Sequence, residues 1–311
     1  MSNIITVTAQ EEGMRIDKWF KANYKGVPYT LFQKLIRKGA IKIDGKKAKT
    51  DMRLVEGQEI RLPTLEVNEK KEPIKSSATK EDADKFITQN ILYQNKNMIA
   101  INKPPGIPVQ GGSGVKMSID DMLPYLAGKK DKLRLVHRID KDTSGVLLIA
   151  RNMNAATELT TAFRKREIEK TYWALVIGVP SPKEGTIIMP LSIQNFGMGE
   201  KTVPDDKGGK KAVTHYKVLE TAGQTVSLVE LAPESGRKHQ IRAHMAEIGF
   251  PIVGDGKYGG KEAFIEGISK KMHLHAKSAF HPNIMGDKID VEAELPRHIK
   301  ESIEFLGLRQ P

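Results

Sequence analysis

With 311 residues, the chain is long enough for two domains and a sizeable core. It contains no Cys, which excludes disulfide frameworks and thiolate metal sites, and no apolar run nears the ~20 residues that cross a bilayer. Lys+Arg 50 against Asp+Glu 38 gives a formal net charge of +12, a balance that favours a polyanionic partner such as nucleic acid. The first residues lack the apolar core and cleavage site of a signal peptide, so a cytoplasmic protein that does not enter a membrane is expected.

Residues 14–62 read as a small α+β module and hold 13 Lys/Arg against 5 Asp/Glu, a local net charge of +8. "MRIDKWFKANY" places Ile16, Trp19 and Phe20 at helical spacing, and "YTLFQKLIRKG" repeats the pattern with Leu31, Phe32, Leu35 and Ile36. Arg37 and Lys38 sit in the last turn of that second helix, and Gly39 suits its C-terminal cap. "AIKIDGKKAKT" alternates Ile41 and Ile43 and turns at Asp44-Gly45, which predicts a hairpin. "LVEGQEIRLP" supplies one more strand. Lys34, Arg37 and Lys38 face away from the apolar stripe. Lys42, Lys46, Lys47 and Lys49 extend the positive surface into the hairpin. Such a face is an ordinary wet helix side or a phosphate-binding surface.

Residues 63–90 carry few apolar positions and many charges, and are expected to be a linker with at most a short helical turn. A larger domain is expected over 91–311. Its strand signals are "NMIAINKP", "TYWALVIG", "AVTHYKVLE", "TVSLVELAP" and "HLHAKSAFHP". Its helix signals are "SIDDMLPYL" and "AATELTTAFRKREI". The order predicts a mixed α/β (α+β) domain with a largely antiparallel sheet.

Within it, "LVHRIDKDTSGVLLIA" (135–150) sets a charged knot between two apolar runs. Asp142, Thr143, Ser144 and Gly145 suit a turn in which Asx and Thr side chains bond backbone N–H groups. That leaves His137, Arg138 and Asp140 without a turn-forming role, and a salt bridge from Asp140 to Arg138 is one structural account. The string differs from the kinase catalytic loop because its Asp comes one residue late, with no following Asn at the required distance and no Gly-rich loop upstream. His273 and His275 are two apart, as an alternating strand requires, and "KGGKK" (207–211) lacks Walker spacing, so neither a metal nor a nucleotide site is expected.

The knot resembles the His-Arg-Leu-Asp-x-x-Thr-Ser-Gly signature of the RluA-type pseudouridine synthase family, with Ile139 in place of Leu. Further motifs agree in order: "INKPPGIPVQGG" (101–112), "EKTYWALVIG" (169–178), "SGRKHQIRAH" (235–244), "PIVGDGKYG" (251–259) and "LHAKSAFHP" (274–282). The basic module, through "LFQKLIRKGAIKIDGKK" and "LVEGQEIRL", resembles the small RNA-binding domain of ribosomal protein S-four type.

The first resemblance implies an isomerase, an intramolecular transferase that detaches uracil from its ribose, rotates it and rejoins it through carbon 5, with no metal or other cofactor. It implies that Asp140 is the catalytic carboxylate, acting as nucleophile or as base. It implies that Arg242 pairs with Asp140, its planar fork holding the carboxylate bidentately, and that Tyr172 lines the base pocket. Arg138 would fill the space left by the everted nucleotide. Read without the family, Arg242 is first a phosphate-binding or surface residue and Tyr172 a half-buried strand residue. Trp173, one position on, belongs to the opposite sheet face and the core, and His137 is expected to support the loop. Lys34, Arg37, Lys38, Lys42, Lys46 and Lys47 would hold RNA. "NKPPGIPVQGGSG" looks most like the subfamily acting on large-subunit ribosomal RNA, and a monomer is expected. Two rivals from other classes are an RNA-binding ribosome-assembly factor with a non-catalytic synthase-like domain and a phosphotransfer enzyme.

Overall fold

A computed structural model describes residues 2–24, 27, 29–65, 79–111, 115–126, 132–196 and 199–310. The chain forms two compact units, Met1–Lys75 and Ser76–Pro311.

The first unit contains β1 (Ser2–Thr6), α1 (Ile16–Asn23), α2 (Tyr29–Lys38), β2 (Lys42–Ile43), β3 (Lys46–Lys47) and β4 (Glu59–Pro63). Both helices and the hairpin lie where the apolar spacing puts them. Trp19, Phe20, Phe32, Ile41 and Ile60 are sealed from solvent and form one core under a sheet of order β1-β4-β2-β3. Each such side chain, fully buried, stabilises the fold by about 1.5–3 kcal/mol. Asp44 and Gly45 both have positive φ, 47° and 75°, the geometry of a tight two-residue hairpin turn. The unit starts upstream of residue 14, because β1 pairs along β4 from Ser2↔Pro63 to Thr6↔Glu59. The upstream strand is short and its inward signal is only Ile5 and Val7, which is too little period to read from sequence.

The second unit opens with α3 (Lys80–Asn90), β5 (Ile91–Gln94), β6 (Met98–Lys103), α4 (Ile119–Leu126), β7 (Arg134–Leu135), β8 (Ser144–Ala150) and α5 (Met153–Lys165). It continues with β9 (Glu169–Ile177), β10 (Glu184–Ile188), β11 (Leu191–Phe196), β12 (Gly199–Pro204), β13 (Val213–Ala222) and β14 (Val226–Pro233). Finally come α6 (Gln240–Glu247), β15 (Leu274–Ile284), β16 (Asp287–Glu292) and α7 (Arg297–Phe305). Residues 80–90, read as linker, are helix. Thr79 caps α3 by accepting from the Asp82 N–H at 3.1 Å, and Ala83 and Phe86 bury against Ile99, Ile101, Met122 and Leu123. Three apolar residues, Ala83, Phe86 and Ile87, among eight polar ones were enough to dock it.

One long sheet runs β10-β13-β14-β9-β15-β8-β6-β5, with β16 on β15 and β7 on β8. Its pairings are antiparallel except β15 with β8, which explains the largely antiparallel character. β8 is central and buried along its whole length, which is why "SGVLLIA" is a continuous apolar run instead of an alternation. Leu148 points into one apolar layer with α5 and Val291, and Leu147 and Ile149 into the other with α3 and α4. No helix among the described residues is long and apolar enough to cross a membrane.

Candidate active site

The charged knot is the loop between β7 and β8. The Thr143 N–H donates to the Asp140 carbonyl at 3.2 Å, closing a turn over 140–143. The turn therefore ends earlier than expected. Ser144 and Gly145 already belong to β8, and the Ser144 hydroxyl meets His275 Nδ1 at 2.9 Å instead of a backbone N–H. Gly145 is required by contact: with φ at 107°, a Cβ there would lie 2.1 Å from the Ala276 carbonyl oxygen of β15. His137 holds the loop from behind, as expected. Its Nε2 accepts from the Leu148 N–H at 2.8 Å and its ring stacks on Phe163. Burial, with Lys170 nearby, pulls its pKa down to about 3, so it is neutral.

Lys103, at the end of β6, fixes the same loop from the other side. Its side chain is fully buried, and Nζ donates at 2.9 Å to the carbonyls of Pro104, Ile107 and Lys141. Three acceptors match the three N–H bonds of the ammonium, the form this side chain takes below its lowered pKa of about 7. The motif "INKPPG" carried this residue, but nothing in its spacing told what the Lys does.

Arg242 reaches Asp140 from α6, 102 residues away, with Nη1 3.2 Å from Oδ2. α6 is buried nearly all round, including Gln240, Ile241, Arg242, Ala243, His244 and Met245. Polar partners make that possible. Gln240 accepts from the Ser235 hydroxyl and the Arg237 N–H and donates to the Val213 carbonyl and Thr214. His244 Nε2 lies 3.1 Å from the Met189 carbonyl, so that nitrogen carries the proton.

The fork of Arg242 is turned elsewhere than expected. Its bidentate partner is Asp255, with Nε–Oδ2 at 2.6 Å and Nη2–Oδ1 at 2.8 Å, and Asp140 receives only the remaining Nη1. Asp255 is 2 % exposed and stands in "PIVGDGKYG", a motif from which no partner could be read. The turn that presents it needs Gly254, because a Cβ there would lie 2.1 Å from the Lys271 carbonyl oxygen. Tyr258 of the same turn lays its ring against the guanidinium, 5.0 Å from Cζ to centroid.

Electrostatics follow from this packing. Burial pushes the Asp140 carboxyl above its ordinary value, while Arg242, by charge and hydrogen bond, and then Arg138 pull it back. Burial opposes the charge on Arg242 too, but its bonds to Asp255 and the attraction of Asp255 and Asp140 hold its pKa above the usual range. The ion pair is therefore a cation shared by two acids, one locked and one facing open space.

Two cavities meet at that open face. One of 420 Å³ is bounded by Tyr172, Leu274, Lys170, Phe163 and Gln240. The other, of 790 Å³, is bounded by the loop 105–111, by Gly254, Gly256 and Lys257, and by Lys270, Lys271 and Met272. Arg138, Ile139, Asp140, His239 and Arg242 line both. Tyr172 projects from β9, where it pairs with Leu231 and Ala276, and burial next to Asp140 pushes its phenol up. Trp173 turns to the other side and packs with Leu175, Leu228 and Ile299. Arg138 is exposed at the shared rim. The structure thus gathers Asp140, Arg242, Tyr172 and Arg138 in one place.

The remaining basic candidates belong to the first unit. Lys34, Arg37, Lys38, Lys46 and Lys47 are exposed and Lys42 is half-buried. The Lys47 stem crosses Gly39, so close that a Cβ at Gly39 would lie 2.7 Å from Lys47 Cε, and this joins the hairpin to the basic end of α2. No group of three or more His, Asp or Glu among the described residues has a metal-binding arrangement. His273 and His275 are instead bonded within the protein, to the Val253 carbonyl and Ser302 and to Ser144 and the Ala293 carbonyl.

Comparison with known proteins agrees with this geometry. The family described as RNA pseudouridylate synthase matches residues 97–247. "Ribosomal large subunit pseudouridine synthase C" of Rickettsia bellii (strain RML369-C) is 36% identical over 299 residues, covering 95% of this chain and 98% of the relative. The protein of the same name from Escherichia coli (strain K12) is 33% identical over 311 residues, covering 97% and 96%. Among solved structures, "Human RNA Pseudouridylate Synthase Domain Containing 4" superposes with a TM-score of 0.63 at 32% identity, covering 75% of this chain and 98% of that one. With a shared fold, and with relatives that match along almost their whole length, the chain belongs to the RNA pseudouridylate synthase family.

Proposed function

We propose that the protein isomerises uridines of large-subunit ribosomal RNA to pseudouridine, with Asp140 as the reacting carboxylate. The observation that carries the reading is the 3.2 Å contact between Asp140 and Arg242 at the wall common to two open cavities. The target nucleotide leaves its stack, at a cost of a few kcal/mol, and its uracil enters the cavity bounded by Tyr172 and Leu274. Arg138, flat and cationic at the rim, occupies the space the base vacates and contacts phosphate.

The reaction exchanges one bond for another. The N1–C1′ bond breaks, uracil turns, C5 bonds to C1′, the hydrogen leaves C5 and N1 gains one. Asp140 starts it either by attack at C1′ or by taking the proton from C2′, and both routes need the carboxylate ionised. Arg242 supplies that condition. Tyr172 stacks on the detached base and accompanies removal of the C5 proton.

The basic face of the first unit, centred on Lys34, Arg37, Lys38, Lys42, Lys46 and Lys47, holds the RNA backbone, as its likeness to the S-four-type domain suggests. Residues 14–62 carry this surface. The ribosomal target follows the names of the relatives, and the protein is taken to work in the cytoplasm as a single chain. RNA carrying tritium at C5 of uridine tests the chemistry. The native protein releases tritium to water, and Asp140→Asn releases none while binding the same RNA within about threefold. Full release by a folded Asp140→Asn protein overturns the assignment. Mapping pseudouridines in ribosomal RNA from cells with and without the protein tests the target.

A further inference from the structure

The Asp140 carboxylate is held asymmetrically. Arg242 Nη1 lies 3.2 Å from Oδ2, and His239 Nε2 lies 3.8 Å from that same oxygen. Among the described residues, Oδ1 receives no hydrogen bond. His239 precedes α6 in a left-handed conformation, φ 53° and ψ 23°, which turns its ring toward the wall shared by the two cavities.

The proton on that ring can be located. Burial, with Arg242, Lys257 and Lys238 nearby, pulls the His239 pKa down to about 3, so the imidazole is neutral and carries one N–H. Nδ1 lies 3.0 Å from the Tyr258 hydroxyl, and that oxygen already accepts the Thr202 N–H at 3.0 Å. The Tyr258 hydroxyl can donate to Nδ1 or accept from it, and the other ring nitrogen decides: Nε2 lies 3.8 Å from the Asp140 carboxylate, where a hydrogen is attracted and a lone pair repelled, so Nδ1 is the acceptor. The remaining proton then sits on Nε2, facing Asp140.

We propose that His239, fixed as the Nε2–H tautomer by Tyr258, is a positioning residue that joins Arg242 in anchoring Oδ2, so that Oδ1 is the atom of Asp140 that reacts. This rests on Asp140 being the reacting carboxylate. In the RNA complex the 3.8 Å separation closes to a hydrogen bond, and two donors on one oxygen stop rotation of the carboxylate about its Cβ–Cγ bond. The chain Thr202, Tyr258, His239, Asp140 also ties the β11–β12 hairpin to the site.

The test separates a donor from a backbone device. Gln at position 239 can place an amide N–H near the Nε2 position. Asn reaches only the Nδ1 position and tolerates the left-handed backbone well. His239→Asn and Tyr258→Phe are expected to lower kcat about tenfold with KM for RNA within about twofold, and His239→Gln to recover most of that loss. The acid limb of kcat moves to higher pH in the Asn and Phe variants, because a lost donor destabilises ionised Asp140. The other charged or titratable groups acting on Asp140 are Arg242, Arg138, Asp255, Lys103 and Tyr172, with Asp142 and Lys257 lining the same cavity, and all are unchanged. Equal loss in Gln and Asn variants, an unmoved acid limb, or a change confined to KM overturns the proposal. Melting temperatures within a few degrees of the native protein exclude unfolding as the cause. Tritium release by Asp140→Asn tests the underlying reading separately: if that variant is inactive and the Gln variant gives no recovery, only the present inference fails.

Discussion

Arg242 gives its two-pronged face to Asp255 and a single N–H to Asp140. Asp255 therefore fixes the guanidinium in place before Asp140 or substrate meets it. The arrangement keeps a cation at the reacting carboxylate without surrounding that carboxylate, which a bidentate Arg242–Asp140 pair would do.

Asp255→Asn should lower kcat by about 10- to 100-fold, since a supporting partner that orients a site residue typically contributes this much. It should also destabilise the fold by on the order of 3 kcal/mol, because a buried guanidinium loses half its counter-charge. Single-turnover kinetics and denaturant unfolding check both. Native kcat in this variant would show that Asp140 alone holds Arg242.

The rate should fall at acid pH. Burial raises the Asp140 pKa above its ordinary 3.8, and the reaction needs the ionised form, so kcat declines as pH falls through that raised value. The same shift makes the folded state bind this proton more readily than the unfolded one, so Asp140 by itself adds stability as the solution becomes acidic. Tyr172 is pushed above its ordinary 10 and stays a neutral phenol at neutral pH, so its ionisation should produce no alkaline limb below that range. A pH–rate profile of kcat under saturating RNA reads both.

Lys103→Met should destabilise the protein by about 2–4 kcal/mol, because the buried carbonyls of Pro104, Ile107 and Lys141 lose their shared donor. Burial pulls the Lys103 pKa to about 7 from an ordinary 10.5, against the attraction of Asp142 and Asp140. Between those values the unfolded chain binds the proton and the folded one does not, so native stability should rise with pH over that window. Denaturant midpoints across that window should show the rise in the native protein and its loss in Lys103→Met.

Replacing Lys34, Arg37 and Lys38 together by Ala should weaken RNA binding and reduce the slope of log K against log salt by about 2, since each phosphate contact releases counterions. These side chains are exposed and lie outside the core of the first unit, so folding should be unaffected. Titrations between ~50 and ~200 mM salt measure the slope. An unchanged slope would remove this face from the RNA interface.

Much of this protein is legible in its sequence. Ile16, Trp19, Phe20 and Phe32 announced two helices by their spacing, Asp44-Gly45 announced the hairpin, and "TYWALVIG" and "TVSLVELAP" announced the strands β9 and β14. These are local signals, carried by period and turn chemistry. The motifs carrying Asp140, Tyr172, Arg138 and Arg242 were equally visible, and folding brings those four residues to one wall. α6 was not legible as a helix. It is buried nearly all round, so it lacks the apolar-against-polar contrast that a periodicity reading needs.

Nor could sequence assign partners. That Arg242 clasps Asp255, that Lys103 binds three carbonyls, and that Tyr258 sets the proton on His239 all depend on loops that distant strands bring together. The amino-acid order by itself determined which residue types were available, the elements they form and the family they belong to. The tertiary structure alone decided which donor faces which acceptor, because a hydrogen bond is fixed by angle and by tenths of an ångström, and those arise only once the β8, β9 and β15 strands and the turn at Gly254 are packed together.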